Sequence, residues 1–150
     1  MRNIDPDLLD PARYPSVLQA NTRYSDVDNN RHLNNVTIAA HFEDARARID
    51  WSPQFRDALG EFSASLVTHT LDYLAELVWP DPLTVHFGIS KIGNSSWSIA
   101  SLIVQHGQVC AVSRCVMVCI QDGRPAPLPQ ACREIVTPYL LKPTAQESAD

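Results

Sequence analysis

The sequence contains no uninterrupted apolar run approaching the ~20 residues needed to span a bilayer as a helix. Its first ten residues, Met1 to Asp10, hold no apolar core of a secretory signal. There is no internal repeat. Positive charge is not in excess either: the formal net charge is −5. A general nucleic-acid binder needs a basic face to neutralise phosphates, so that class is disfavoured. Nor is there a CxxC pair or a His companion at zinc-site spacing around Cys110, Cys115, Cys119 and Cys132. No metal site is expected. Cys115, Met117 and Cys119 share one face of a strand and read as core packing. Reduced thiols suggest the cytoplasm.

What is present is one domain's worth of chain, 150 residues, with 45% hydrophobic and 19% charged residues. A single domain is expected over 1–150, its core spanning about 16–135, with 1–15 and 143–150 as surface tails. Ser16 to Tyr24 alternates in part and reads as a strand. A polar loop, Ser25 to His32, leads through Leu33-Asn-Asn35 into a helix over Val36–Ile49. Ile38, Phe42, Ala45 and Ile49 form its apolar stripe, and Ala39 and Ala40 widen it, so the helix is expected to be enclosed. Asp44 and Arg48 have ion-pair spacing. Pro53 is expected to end it, and a connector containing Gly60 follows.

Four strands come next. Val67, His69, Leu71 and Tyr73 alternate with polar residues, as do Leu83, Val85, Phe87 and Ile89 after the Trp79-Pro-Asp-Pro82 turn. Gly93-Asn94 marks a hairpin turn into Trp97–Gln105, and Gly107 turns the chain into Val109–Ile120. A short helix is expected near Cys132–Val136. Hairpins plus one dominant helix give an α+β domain, with the sheet packed on the helix. Open sheet edges and leftover apolar surface predict a homo-oligomer.

Asp28, Asn30 and His32 form D-x-N-x-H just before a helix start. Hydrolysis of an activated acyl group needs a carboxylate to attack or to deprotonate water, and donors for the developing oxyanion. Free N–H groups at a helix N-terminus are such donors. From spacing alone, the same residues also suit plain capping and turn formation.

Tyr24-Ser-Asp-Val-Asp-Asn-Asn-Arg-His-Leu-Asn-Asn35, followed by Phe42-Glu-Asp-Ala-Arg46, resembles the signature of hot-dog-fold acyl-CoA thioesterases. These are relatives of 4-hydroxybenzoyl-CoA thioesterase, with the pattern D-x-D-x-x-G-H-x-N-N and then F-E-x-A-R. The similarity continues through Asp72-Tyr-Leu74, Lys91 to Trp97 and Asp122 to Pro127. It implies a five-stranded antiparallel sheet wrapped around one long central helix, with a short C-terminal helix.

The resemblance also implies hydrolysis of an acyl-CoA or acyl carrier protein thioester, which is a substrate and not a cofactor. It places the catalytic carboxylate on Asp28 and a carbonyl-polarising backbone N–H on Asn35. The loop is also similar to that of plant-type acyl-ACP thioesterases, which implies joint roles for Asp28, Asn30 and His32. Weaker substrate or CoA positions fall on Glu43, His69, Lys91, Asn94, Ser95 and Ser96. Glu43 equally suits an ion pair with Arg46, His69 a hydrogen-bonded core position, and Trp51, Trp79 and Trp97 packing. A non-catalytic acyl-CoA binder and a hydroxyacyl dehydratase are the rival functions. Arg31 stands where the acyl-CoA signature has Gly, which is costly if the position needs positive φ. Its side chain either reaches a CoA phosphate or is solvated.

Overall fold

The structure, a computed structural model, describes residues 4–144. Five strands form one antiparallel sheet: β1 (Ser16–Ala20), β2 (Ser63–Tyr73), β3 (Leu83–Ile92), β4 (Ser96–Gln105) and β5 (Gln108–Gln121). Their spatial order is β1-β3-β4-β5-β2, with a two-residue strand β6 (Arg124–Pro125) added on β5. The sheet thus has a sixth, very short member beyond the five expected, made by the turn through Asp122 and Gly123. The first strand is shorter than expected. It stops at Ala20, and Tyr24–Asp26 is a 3-10 turn.

The central helix α1 runs Asn35–Asp50 and buries the expected stripe of Ile38, Phe42, Ala45 and Ile49. That stripe packs with Val85, Phe87 and Ile89 of β3, Trp97, Ile99 and Ile103 of β4, and Cys115, Met117 and Cys119 of β5. The sheet curls around the helix, the hot-dog arrangement. All four cysteines are buried and unpaired, and burial pushes their thiols up from the ordinary range. Of the three tryptophans, only Trp97 is a packing residue; Trp51 and Trp79 are exposed, contrary to expectation.

Pro53 does not simply end a helix. It opens a second one, α2 (Pro53–Leu59), with Ser52 capping the N–H of Phe55 at 3.3 Å. Proline suits the first helical position because its missing N–H is one of the orphans there. Phe55 and Leu59 bury one face, and Gly60 at φ 60° terminates the turn. The C-terminal helix α3 (Gln130–Val136) packs against α2.

Residues 5–14 are held against the sheet. Residues Pro6–Leu9 and Pro11–Arg13 form 3-10 turns capped by Asp5 and Asp10. Leu8, Leu9 and Leu141 pack around Tyr14, Ala100, Leu102 and Val112, on the sheet face opposite α1. Arg13 Nε donates to the Lys142 carbonyl at 2.9 Å, and the Lys142 N–H donates back to the Arg13 carbonyl. A side chain at Gly88 would stand 2.8 Å from both Pro15 Cδ and the Tyr139 carbonyl, so only glycine admits this close approach. The expected tail from residue 145 onward lies outside the described residues; Pro143 and Thr144 follow this clasp.

Candidate active site

The loop between β1 and α1 is pinned at several points. Asp26 accepts the N–H of Arg23 through its carboxylate at 2.9 Å and that of Asn34 through its carbonyl at 2.7 Å. Val27 and Leu33 form a bridge, and the Leu33 N–H donates to the Leu77 carbonyl at 2.8 Å. The Asp28–His32 segment is closed at its base by the Asp28 N–H donating to the His32 carbonyl at 2.9 Å.

Inside that closed segment the Asp28 carboxylate accepts two backbone N–H bonds through Oδ1, from Asn30 at 2.8 Å and His32 at 3.4 Å. Asn30 and His32 therefore orient the carboxylate through their backbones. The His32 ring points elsewhere, with Nε2 at 2.9 Å from Glu76 Oε2. Among the described residues, Asp28 Oδ2 carries no hydrogen bond. Arg31 sits at φ 64°, so the position does require the left-handed conformation that glycine would take freely. Its side chain is exposed and makes no hydrogen bond or ion pair among the described residues.

Asn34 is the helix cap, accepting the Val36 N–H at 2.8 Å through Oδ1. Asn35 is the first helical residue. The opening N–H groups of a helix have no intrahelical partner; with Val36 taken, those of Asn35 and Thr37 remain without one among the described residues. The site thus pairs a carboxylate fixed by the backbone with unsatisfied donors at the positive end of a 16-residue helix. That combination can polarise a carbonyl while a base or nucleophile stands beside it.

The remaining candidates separate into two groups. Glu43 is exposed and pairs with Arg46 at 3.1 Å, and Arg46 Nε also lies 3.9 Å from Asp50 Oδ2. His69 Nε2 is 2.9 Å from Ser113 Oγ. It is hydrogen-bonded as expected, yet it lies exposed on the edge strand β2 and not in the core of the single chain. Burial, then the nearby Arg46 charge, lower its pKa against the opposing pull of Glu43. Lys91, Asn94, Ser95 and Ser96 are elsewhere. Their hairpin is tied to the chain's C-terminal part, the Asn94 carbonyl accepting from Leu128 and Arg133, and the Ser95 carbonyl from Cys119.

Register fixes the separation. Ser63 of β2 pairs with Ile120 at the hairpin end, whereas Tyr73 pairs with Ala111 at the loop end. Ten residue steps of extended chain are roughly 30 Å. Within one chain, the hairpin residues and Asp28 cannot touch the same small group.

Comparison with known proteins follows the same lines. The family model for the thioesterase-like superfamily matches residues 22–136, most of the chain. The chain belongs to the thioesterase-like superfamily.

No curated protein sequence matches this superfamily member. A predicted thioesterase from Bacillus stearothermophilus is 30% identical, with a TM-score of 0.75, covering 85% of this chain and 98% of its own. A thioesterase from Thermus thermophilus, complexed with coenzyme A and Zn, is 29% identical at a TM-score of 0.75, covering 88% and 98%. The 1,4-dihydroxy-2-naphthoyl-CoA thioesterase from Synechocystis, 21% identical at a TM-score of 0.70 over 80% and 93%, shares the fold. Among the described residues of the present chain, no group of three or more His, Cys, Asp or Glu is placed to hold a metal ion.

Two features of this superfamily member are not legible in its sequence. Glu76, the partner of His32, follows β2 more than forty residues downstream of the loop, and nothing local links the two. Asp50 reads as an ordinary charged residue at a helix end. It is buried, with Oδ1 accepting from Trp97 Nε1 at 2.9 Å and Oδ2 paired with Arg46 at 3.9 Å but without a hydrogen bond among the described residues. Burial pushes its carboxyl up to about 6, against the opposing effects of the Trp97 bond and the Arg46 charge.

Proposed function

We propose that this chain hydrolyses an acyl-CoA thioester, with Asp28 as the catalytic carboxylate. The observation that carries the reading is the Asp28 carboxylate, held by backbone N–H groups immediately before the unsatisfied N-terminus of α1. The thioester carbonyl accepts from the Asn35 N–H. Asp28 either takes a proton from water, which adds to the carbonyl carbon, or attacks that carbon itself and is released by water. The C–S bond breaks, the thiolate takes a proton, and free acid and coenzyme A leave. His32, fixed by Glu76, keeps the loop closed around the carboxylate.

The site is proposed to be complete only in a dimer. β2 is a free edge strand, and it exposes Leu66 and Val67. A second copy paired antiparallel along it would bring Ser63 of one chain opposite the Tyr73 end of the other. The hairpin residues Lys91, Asn94, Ser95 and Ser96 of one copy would then approach the Asp28 loop of the other, where CoA would lie between them. The clasp of residues 8–14 and 141–142 over the opposite sheet face supports a dimer over a face-to-face tetramer. Four buried, unpaired thiols fit a reducing compartment, the cytoplasm.

The test is a panel of acyl-CoA esters with release of thiol followed spectroscopically, alongside light scattering at micromolar concentration. Turnover by a dimer supports the reading; absence of thiol release across the panel, or full activity in a monomer, contradicts it.

A further inference from the structure

At the end of α1 remote from Asp28 lies a cavity of about 640 Å³, between α1, α2 and the start of β2. The buried part of its wall is Leu59 and Met117, flanked by the half-buried Phe62 and Ala64. Trp51 and Ser63, both exposed, stand at its mouth. Asp50 borders the cavity too, but its carboxylate is committed elsewhere: Oδ1 accepts from Trp97, Oδ2 is paired with Arg46, and the side chain is 2% exposed. It offers a ligand no polar atom. The depth of the cavity is therefore apolar and its rim polar, the usual composition of a small-molecule site of this size.

The mouth lies beside the free edge of the sheet. Ser63 is the first residue of β2 and Tyr73 the last. In the antiparallel pairing along β2 proposed above, the residues just before Ser63 of one copy meet those just after Tyr73 of the other. The latter include Glu76, which holds the His32 ring, and Leu77, whose carbonyl accepts from Leu33. One copy's cavity thus opens towards the other copy's catalytic loop.

We propose that this cavity receives the hydrocarbon of the thioester held at Asp28 of the other copy, that it takes an unsubstituted medium- or long-chain acyl group, and that Ala64 gauges the chain length. The inference rests on the thioesterase and dimer reading. Size argues for a chain: about 150 Å³ suffices for one benzene ring, so an acetyl or single-ring aroyl group would leave most of the space to water. Chemistry argues for a plain one, since a hydroxyl or carboxyl in the apolar depth would lose its hydration without finding a partner. Ala64 lies on the edge strand opposite Cys119 and presents only a methyl group to the space. A longer side chain there would occupy room that the acyl chain needs.

The test measures kcat/KM for straight-chain acyl-CoA esters from acetyl to hexadecanoyl, with benzoyl-CoA alongside. For the wild-type protein the constant should rise about fourfold per methylene through the middle of the series, the gain from burying each CH₂, and should exceed that for benzoyl-CoA. Ala64→Leu should move the optimum to a chain shorter by about two methylenes, because a close-packed wall cannot hold both, and Met117→Ala should move it to longer chains. If either variant does not fold, the other decides. A mixed dimer of Asp28→Asn and Ala64→Leu copies, isolated through two different tags, tests the sharing of the site. Its one intact carboxylate uses the cavity with alanine at position 64, so the wild-type length profile is expected; a shortened profile, meaning that each cavity serves its own copy, overturns the inference. Calorimetry with S-alkyl-CoA thioethers separates the pocket from the chemistry. Length-dependent binding that Ala64→Leu shortens, without hydrolysis of any ester, leaves the pocket standing and removes the enzyme reading. Hydrolysis that is fastest on acetyl- or benzoyl-CoA, or a length profile that neither variant moves, overturns the inference.

Discussion

Replacing Arg31 by glycine should stabilise the protein, although it deletes a large charged side chain. Arg31 holds φ 64°, where a residue with a Cβ meets its own backbone; the cost is roughly 1–2 kcal/mol. Glycine removes that strain but gives up roughly 0.5–1 kcal/mol through the greater freedom of its unfolded chain. No hydrogen bond or ion pair of the Arg31 side chain offsets the strain among the described residues. The net gain is therefore about 0.5–1 kcal/mol, or about 1–4 °C in Tm for a chain of this size. Urea titration at fixed pH, with Arg31→Ala as the control, reads it directly. Alanine keeps the Cβ and should leave stability near wild type, which isolates the backbone from the side chain. If the glycine variant is destabilised, or if glycine and alanine raise stability equally, strain at this position is not the explanation. The same proteins settle the role of the side chain: contact with a CoA phosphate would raise KM in both with kcat unchanged, whereas a solvated arginine leaves both constants as they were.

Asn34→Ala should cost about 1 kcal/mol in urea unfolding, the usual loss of a side-chain cap, because Val36 loses its acceptor. Asp50→Asn should stabilise the protein above pH 6. The folded-state pKa is raised from 3.8 to about 6, so the folded protein binds the extra proton, and stability from this group declines as pH rises from about 4 to 6. The shift corresponds to about 2–3 kcal/mol; the Asn variant should lack that decline when unfolding is followed against pH. Glu76→Gln should loosen the His32 ring and lower kcat several-fold without changing the sedimentation or scattering mass. Equal kinetics would confine the pair to the surface.

The architecture is readable because its signals are periodic and local. The Ile38, Phe42, Ala45 and Ile49 stripe and the Leu83, Val85, Phe87 and Ile89 alternation each specify one buried face, whereas Val67 and His69 of the other alternating strand are exposed at the sheet edge. Turn residues at Gly93-Asn94, Gly107 and Asp122-Gly123 fall at the observed strand ends. Helix α2 escapes a sequence reading because seven residues offer too little periodicity, and Ser52-Pro53 reads equally as a stop or a start. The clasp of the N-terminal turns is hidden because its contacts, Tyr14 on Leu102 and Arg13 on Lys142, join residues about 90 to 130 apart. The same reason explains the site. Asp28 and its two backbone donors are adjacent in sequence and can be anticipated. Glu76, and the buried environment that sets Asp50 apart, exist only after the chain has closed on itself.

The most direct measurement of the central claim is turnover of an authentic acyl-CoA by Asp28→Asn, compared with Asp26→Asn. The amide preserves the side chain's size and can still accept the Asn30 and His32 N–H bonds through its oxygen, so the fold and the loop should persist. It neither accepts a proton at neutral pH nor attacks a carbonyl well. The account predicts a fall in kcat of ~10²–10⁴-fold or more for Asp28→Asn, with substrate binding retained. Asp26, whose carboxylate caps the Arg23 N–H, should lose far less. Near-normal turnover by a correctly folded Asp28→Asn protein would contradict the account.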